Sequence, residues 1–455
     1  MWMSSAVNNK KEIITMQQYF YQLADYLQGK CSGEEVFLAI VSGEESDFVR
    51  FNRSAVRQAG QVDQANFSLD LIHGSRHAKG SITLCRDFEL DTQRLESLLK
   101  DLREKINVVP EDPYLLYSTQ VRSSEQIGVD RLPDRQTAIE SILSAGVGRD
   151  LVGIYAQGLI YAGFANSLGQ RNWFSTSSFN FDWCFYHDRD KAVKSRYAGF
   201  EWNNQEFQRK VAFASEQLAV LSGPARTISP GEYRAYFSPA AMEEFIAMLA
   251  WNGFGVKAHR TKSTPLLRML EKEQSLSPKV TFRENTIDGI DANFQSAGYL
   301  KPDRITLIEQ GRLADELISA RSAREYSLTP NGASESENPD SLEMASGDIP
   351  STEILNRLNT GLYVNDLWYL NYSDRPAGRI TGMTRFATFW VENGKIVCPV
   401  NVMRFDETVY RVLGENLEGL TAERDFIPSN STYGGRSTCS VRLPGVLVNQ
   451  FRFTL

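Results

Sequence analysis

The chain has 455 residues, 42% of them hydrophobic and 23% charged, with 56 acidic against 49 basic side chains and a formal charge of −7. That length exceeds one ordinary core and suggests roughly two to four domains of a globular protein. The acidic balance supplies no basic field for phosphate, so no nucleic-acid partner is expected. The first thirty residues include Lys10, Lys11, Glu12 and Asp25 and hold no apolar run long enough for a signal peptide or a membrane span, so a cytoplasmic setting without membrane contact is the expectation. Cys31, Cys85, Cys184, Cys398 and Cys439 lie far apart with no CxxC pair, which argues for reduced, buried thiols rather than a zinc ribbon or a disulfide framework.

In chain order, Ile13, Met16, Tyr19, Phe20, Leu23 and Leu27 recur about one turn apart and predict an amphipathic helix over Glu12–Leu27. The period then changes. Val36–Val41, Asp47–Phe51, Asn66–Ile72 and Gly80–Leu84 are short β-rich runs separated by Gly, Ser and charged turns, which predict an antiparallel sheet. Helix returns over Asp91–Ile106, with Leu95, Leu98, Leu99, Leu102 and Ile106 as its buried stripe and Glu96 and Lys100 as an exposed pair, until Pro110-Glu111-Asp112-Pro113 ends it.

A second module opens near Pro133, in the first turn of a helix carrying Ala138, Ile139, Ile142 and Leu143 and stopping at Gly146. Strands come next, at Leu151–Tyr155 and Gly158–Ala162. Phe164–Gly169 is a tight turn in which Asn166 and Gly169 tolerate left-handed dihedrals, and Arg171–Tyr186 continues as an aromatic-rich strand pair. A helix over Glu206–Leu221 faces Phe207, Val211, Ala214, Leu218 and Leu221 inward, and Ser222-Gly223-Pro224 is the preferred domain boundary.

Beyond it, Tyr233, Ala235 and Phe237 alternate as a strand. Ser238-Pro239 breaks that strand and can cap the next element, a buried helix with Met242, Phe245, Ile246, Leu249 and Gly253 on one face. Apart from a weaker helical run at Glu353–Leu358, the rest is strands and turns: Arg304–Ile308 before Glu309-Gln310-Gly311, Phe386–Val391 before Glu392-Asn393-Gly394, and Val446–Val448 before Phe451–Phe453. Such spacing predicts a large curved β-sheet or barrel-like domain, with Asn393-Gly394 suited to a type I′ hairpin. Asn331–Asp340 is polar and acidic without periodicity and predicts a solvated surface loop, or alternatively a substrate-covering flap. The expected fold is α+β: amino-terminal α/β modules with an antiparallel sheet at 1–112 and 113–223, and a β-rich domain with one buried helix at 224–455.

By arrangement and position, Tyr233–Gly255 resembles the signature segment of the TldD/PmbA family, peptidases once named modulators of DNA gyrase, in which a helix after a Ser-Pro or Gly-Pro turn bears HExxxH. The matching residues run from Ala247 to Asn252: Ala247 stands at the first histidine, Met248 at the glutamate and Asn252 at the second histidine. Asn166-Ser167-Leu168-Gly169 resembles the family's Asn-Ser-x-Gly turn, Leu307–Leu313 its strand-turn with Glu-x-Gly, Val391–Val400 its Asn-Gly hairpin running into Pro-Val, and Ser440–Phe451 its closing strand. In order and spacing the likeness covers nearly the whole chain. It implies a PmbA (TldE)-like subunit with no catalytic residue, no metal site and no cofactor of its own. Such a subunit would pair with a zinc-bearing TldD-like partner, enclosing and orienting an unfolded peptide laid down as an added strand. The peptide-contacting residues are not assigned. The run Leu367–Tyr372 reads as core, with chamber wall or partner interface as the alternatives.

Two other readings stay open: a stand-alone homodimer that binds peptides or another ligand without hydrolysis, and a peptidase with a rearranged metal site using His259, Cys439, Glu243 or Glu244. A zinc peptidase needs about three protein ligands, an open position and a nearby carboxylate. The chain has four histidines, His73, His77, His187 and His259. His73 and His77 flank Gly74 and Ser75 and read as surface loop residues. His259 lies beside Lys257, Arg260 and Lys262, a cationic setting that opposes a divalent ion and predicts a solvent-facing ring. In the family's catalytic branch a further cysteine sits in a Cys-Gly-Lys-like turn near the carboxy terminus; Thr432–Arg436 occupies that region here, and Cys439 is displaced from it. Glu243 and Glu244 read as an exposed helical face. GxSxG, Walker and GxGxxG motifs are absent.

Overall fold

The computed structural model describes residues 14–187, 191–432 and 434–454; the start of the expected opening helix lies outside them. Helix α1 (Met16–Gln28) begins with a Thr15–Gln18 capping box, and α2 (Phe88–Ile106) with the Asp87 side chain accepting from the Leu90 amide. Their apolar stripes, including Phe20, Leu23, Leu95 and Leu102, bury against one face of a sheet. Glu96 does not pair along its own helix as expected, but bonds Tyr26 and Lys30 at the end of α1.

The strands are longer than their apolar runs. β1 (Val36–Asn52), β2 (Ala55–His73) and β3 (Arg76–Thr83) are three strands where four β-rich runs stood in the sequence. Polar Ser42–Ser46 stays extended because strands on both sides satisfy its main chain. After β4 (Ser124–Ile127) and α3 (Arg135–Gly146), β5 (Asp150–Asn166) runs straight through Gly158, where two strands were expected. Gly158 has φ +146°, and a Cβ there would stand 2.1 Å from the Glu45 carbonyl oxygen. β6 (Arg171–His187), β7 (Lys191–Gly199) and α4 (Asn204–Leu221) complete the unit. The sheet order is β3-β2-β1-β5-β6-β4, with β7 also on β6. The pairs are antiparallel except β4 with β6. α1 and α2 cover one end, α3 and α4 the other.

β8 (Gly231–Phe237) then leads into α5 (Pro239–Ala250), whose N-cap Ser238 accepts from the Ala241 amide and whose Pro239 occupies the first turn. Next in order are α6 (Val256–Arg260), α7 (Leu267–Leu270), β9 (Phe282–Asn285), β10 (Arg304–Glu309), β11 (Arg312–Leu313), α8 (Ala320–Tyr326), β12 (Ser341–Met344), α9 (Ile354–Leu358), β13 (Gly361–Asp374), β14 (Arg379–Glu392), β15 (Lys395–Pro399), β16 (Arg404–Thr408), β17 (Leu417–Pro428) and β18 (Ser440–Phe453). The second sheet has the order β11-β10-β9-β12-β18-β16-β14-β13-β8, with β15 on β14 and β17 on β18. β8 bonds β13 in parallel and also β18 antiparallel, so the sheet curls on itself while β9–β12 run off as an open flank. It is strongly curved but not a true barrel, and the chain is α+β.

α5 lies against this curl. Ala241, Met242, Phe245, Ile246 and Leu249 pack with Phe237, Val364 and Phe451 in the core, and each fully buried large side chain contributes about 2 kcal/mol. The helix stops at Ala250, so Gly253 lies beyond it instead of on its buried face, and Ala247 on the opposite side is exposed. The run Leu367–Tyr372 is only partly core: Leu367 is buried, but Trp368 and Tyr369 are 45% and 73% exposed, at a bulge where Tyr369 takes φ +60°. The five cysteines are free; Cys85 and Cys439 are exposed and the other three only partly covered, contrary to the buried thiols expected. Among the described residues no helix is long and apolar enough to cross a membrane.

Candidate functional site

The outward face of α5 meets the first sheet through charge. Arg196 on β7 places Nη1 2.8 Å from Glu243 Oε2, Nη2 3.8 Å from Glu244 Oε1 and Nε 3.0 Å from Asp182 Oδ1 on β6. Cross-strand register sets this, because Asp182 stands opposite Arg196 and Cys184 opposite Lys194. Lys194 Nζ reaches to 2.9 Å from Asp366 Oδ2 on β13. Burial pushes the Asp182 and Asp366 carboxyls above their usual range, and burial, then Glu243 and Asp366, brings Glu244 up to about 7. Glu243 and Glu244 are therefore not a solvated face: they close a partly buried ionic cluster between the two sheets. Asp182, Lys194, Arg196 and Asp366 were missed in the sequence. The available signal was Lys194 and Arg196 at alternate positions of β7, facing one side, and Asp182 as the one carboxylate of β6.

One turn along the same helix, the signature positions are arranged differently. The Met248 carbonyl accepts from Tyr372 Oη, and the Trp251 carbonyl accepts from Arg375 Nη2 at 2.8 Å. The Arg375 guanidinium lies 4.4 Å over the Trp251 ring and 5.0 Å over Tyr372. Carbonyls left over at a helix end thus find donors on β13 and on the turn that follows it. Asn252 lies past the helix at φ +59°, and its amide donates to Asn338 Oδ1 at 3.0 Å. Ala247 offers a methyl group, Met248 a thioether and Asn252 a carboxamide.

Asn338 belongs to Asn331–Asp340, and this segment is a brace rather than a solvated loop. Glu337 is 3% exposed, and its carboxylate accepts from the Lys257 amide at 2.9 Å and from the Ser319 amide and hydroxyl at 2.9 and 2.7 Å, tying the start of α6 to the start of α8. Charged-group hydrogen bonds of this kind hold a segment whose sequence shows no periodicity. His259, expected at the surface, is buried: Nδ1 lies 2.7 Å from Glu316 Oε1 and Nε2 2.8 Å from the Gly253 carbonyl. Both partners are acceptors, and each ring nitrogen is turned toward one of them instead of toward an open ligand position.

His77 sits in strand β3, not in a loop, with Nδ1 3.0 Å from Asp70 and Nε2 3.4 Å from Asp112; the Asp70 hydrogen bond raises its pKa. His73 ends β2 and is exposed, and His187 ends β6. Cys439 Sγ stands 4.0 Å from Asp340 Oδ1. In Thr432–Arg436, Tyr433 lies outside the described residues; Arg436 reaches across to the first sheet, 2.9 Å from Ser178 Oγ and 3.2 Å from the Gly158 carbonyl, and burial brings its pKa down to about 10. Among the described residues no three His, Cys, Asp or Glu side chains gather as a group that could hold a metal ion.

Residues 230–455, which span α5 and the whole curved sheet, match the family model of the PmbA/TldA metallopeptidase C-terminal domain. The chain belongs to the TldD/PmbA family. Solved structures share the TldD/PmbA fold over nearly all of it. TldE from Thermococcus kodakarensis superposes with a TM-score of 0.75 at 12% identity, over 96% of this chain and 100% of its own. A candidate modulator of a DNA gyrase from Thermotoga maritima gives 0.74 at 15% identity, over 97% and 100%. A candidate modulator of DNA gyrase from Bacteroides thetaiotaomicron gives 0.73 at 16%, over 96% and 98%. At such identities the likeness speaks for the fold alone. No curated protein matches the chain.

Proposed function

We propose that this TldD/PmbA member is a PmbA/TldE-like subunit that does not cut peptides itself, but encloses and orients unfolded peptides for a zinc-bearing TldD-like partner. The observation that carries the reading is the chemistry at the signature positions. Zinc hydrolysis needs histidine or thiolate ligands and a carboxylate to take the water's proton. Ala247 and Met248 supply neither, and Asn252 stands past the end of the helix, its main-chain N–H donating to Asn338, and offers only a carboxamide. A metal does not fit this donor set, so no hydrolytic step is assigned to the chain. His259 is committed to Glu316 and Gly253, which weighs against a rearranged site built on it.

The test is reconstitution. The chain is co-expressed with an HExxxH protein from the same genome, and cleavage of an unfolded peptide is measured with each protein alone and with both. Co-purification, with cleavage that needs the HExxxH glutamate and is enhanced by this chain, is the expected result. Stoichiometric zinc in this chain purified alone, together with cleavage by it alone, would falsify the reading.

A further inference from the structure

We propose that the cluster of Asp182, Glu243, Glu244 and Asp366 is a binding site for a primary ammonium group, the α-ammonium or a lysine side chain of a peptide. Four carboxylates here share two cations, Arg196 and Lys194, and among the described residues no other cation lies within 4.0 Å of any of them. Asp366 is fully buried, and its Oδ1 meets no hydrogen-bond donor among the described residues. A buried acceptor without a donor is costly unless something supplies one.

The cluster is also open on one side. The Glu243 and Glu244 side chains are 26% and 34% exposed, and Ala247, one turn further along α5, is too small to cover them. Trp368 lies two residues after Asp366 in regular register with β14, so it shares that side of β13; it leaves nearly half its surface exposed, with the Arg385 guanidinium 4.4 Å over its ring. Carboxylates in excess over the cations they contact suit an ammonium group, which brings three N–H donors and a compact charge. A divalent ion needs several ligands facing it together, and Arg196 and Lys194 are interleaved with these carboxylates. The peptide as source of the ammonium rests on the function proposed above; the ammonium site itself does not.

The experiment uses the full chain in two arms. In the first, the thermal midpoint is measured in n-butylammonium chloride and, at equal ionic strength, in tetramethylammonium chloride, which has no N–H to donate. The expected result is a higher midpoint in n-butylammonium only, lost in Glu244→Gln, whose single ionic contact is the long one to Arg196 and whose replacement leaves the Arg196–Glu243 pair in place. In the second arm, a lysine-free, fluorescein-labelled unfolded peptide with a free or acetylated amino terminus, and the same peptide with one added lysine, are titrated by anisotropy. Removing all primary ammonium groups should weaken binding roughly tenfold, and Glu243→Gln/Glu244→Gln should erase the difference. Equal midpoints in the two salts, or an undiminished response in Glu244→Gln, overturns the site, even if peptide binds. A response to n-butylammonium without peptide binding upholds the site and counts against the peptide-enclosing function.

Discussion

Arg196 Nη1 on β7 and Glu243 Oε2 on α5 stand 2.8 Å apart, and this contact joins the first sheet to the signature helix of the second. Arg196 is 12% exposed and is shared with Asp182 and Glu244, so its removal would leave three carboxylates around a vacated cation. Breaking a buried pair from one side is strongly destabilising. Arg196→Ala should lower stability by about 3 kcal/mol, read as the shift of the urea midpoint; a loss below about 1 kcal/mol would show that the joint is held elsewhere.

Glu244 gives this joint a pH dependence of definite sign. Its carboxyl keeps a proton up to about pH 7 in the folded chain and only to the ordinary 4.5 when unfolded, so the folded state binds more protons between those values. Stability contributed at this position therefore falls as pH rises from 4.5 to 7 and is flat above. With a third of the side chain exposed, the effect is discounted to about 1–2 kcal/mol. Glu244→Gln should thus stabilise at pH 8 and be nearly neutral at pH 4.5, measured as thermal midpoints; a gain of equal size at both values would contradict it.

His77 carries the same sign of pH dependence, as a gain that is lost where Glu244 incurs a cost. Its folded pKa is raised, first by the Asp70 hydrogen bond, against desolvation, with Lys79 opposing and Asp112 adding. Arg321 on α8 bonds the same Asp112, and Glu335 bonds Lys79, so the histidine sits in a network that spans both halves of the chain. The stabilisation is complete below the unfolded pKa and disappears as pH climbs through the folded one. His77→Gln should cost about 1 kcal/mol at pH 5.5 and almost nothing at pH 9. Identical losses at both values would mean that the ring acts by packing alone.

Glu337 tests whether Asn331–Asp340 braces the molecule. Its carboxylate satisfies the Lys257 and Ser319 amides and the Ser319 hydroxyl, so Glu337→Ala leaves all three without an acceptor. The expected cost is about 3 kcal/mol, with faster amide exchange at Lys257 and Ser319. Exchange rates unchanged at both amides would restore the solvated-loop reading.

The linear sequence showed mainly period and chemistry. Alternation and one-turn spacing disclosed α1, α2, α4 and α5, the strand-rich carboxy-terminal half, and the methyl, thioether and carboxamide at Ala247, Met248 and Asn252, because each depends on residues close along the chain. The likeness to the family was legible for the same reason, as an order of short local segments. Strand lengths were not, since Ser42–Ser46 and Gly158 are held extended by hydrogen bonds to neighbouring strands, not by their own side chains. Nor were the charges. Arg196 and Glu243 are 47 residues apart, His259 and Glu316 57, and Lys257 and Glu337 80. A charged side chain reads as exposed until a distant partner is brought to it, and only the packing of the two sheets against α5 decides which charges are buried and which stay open.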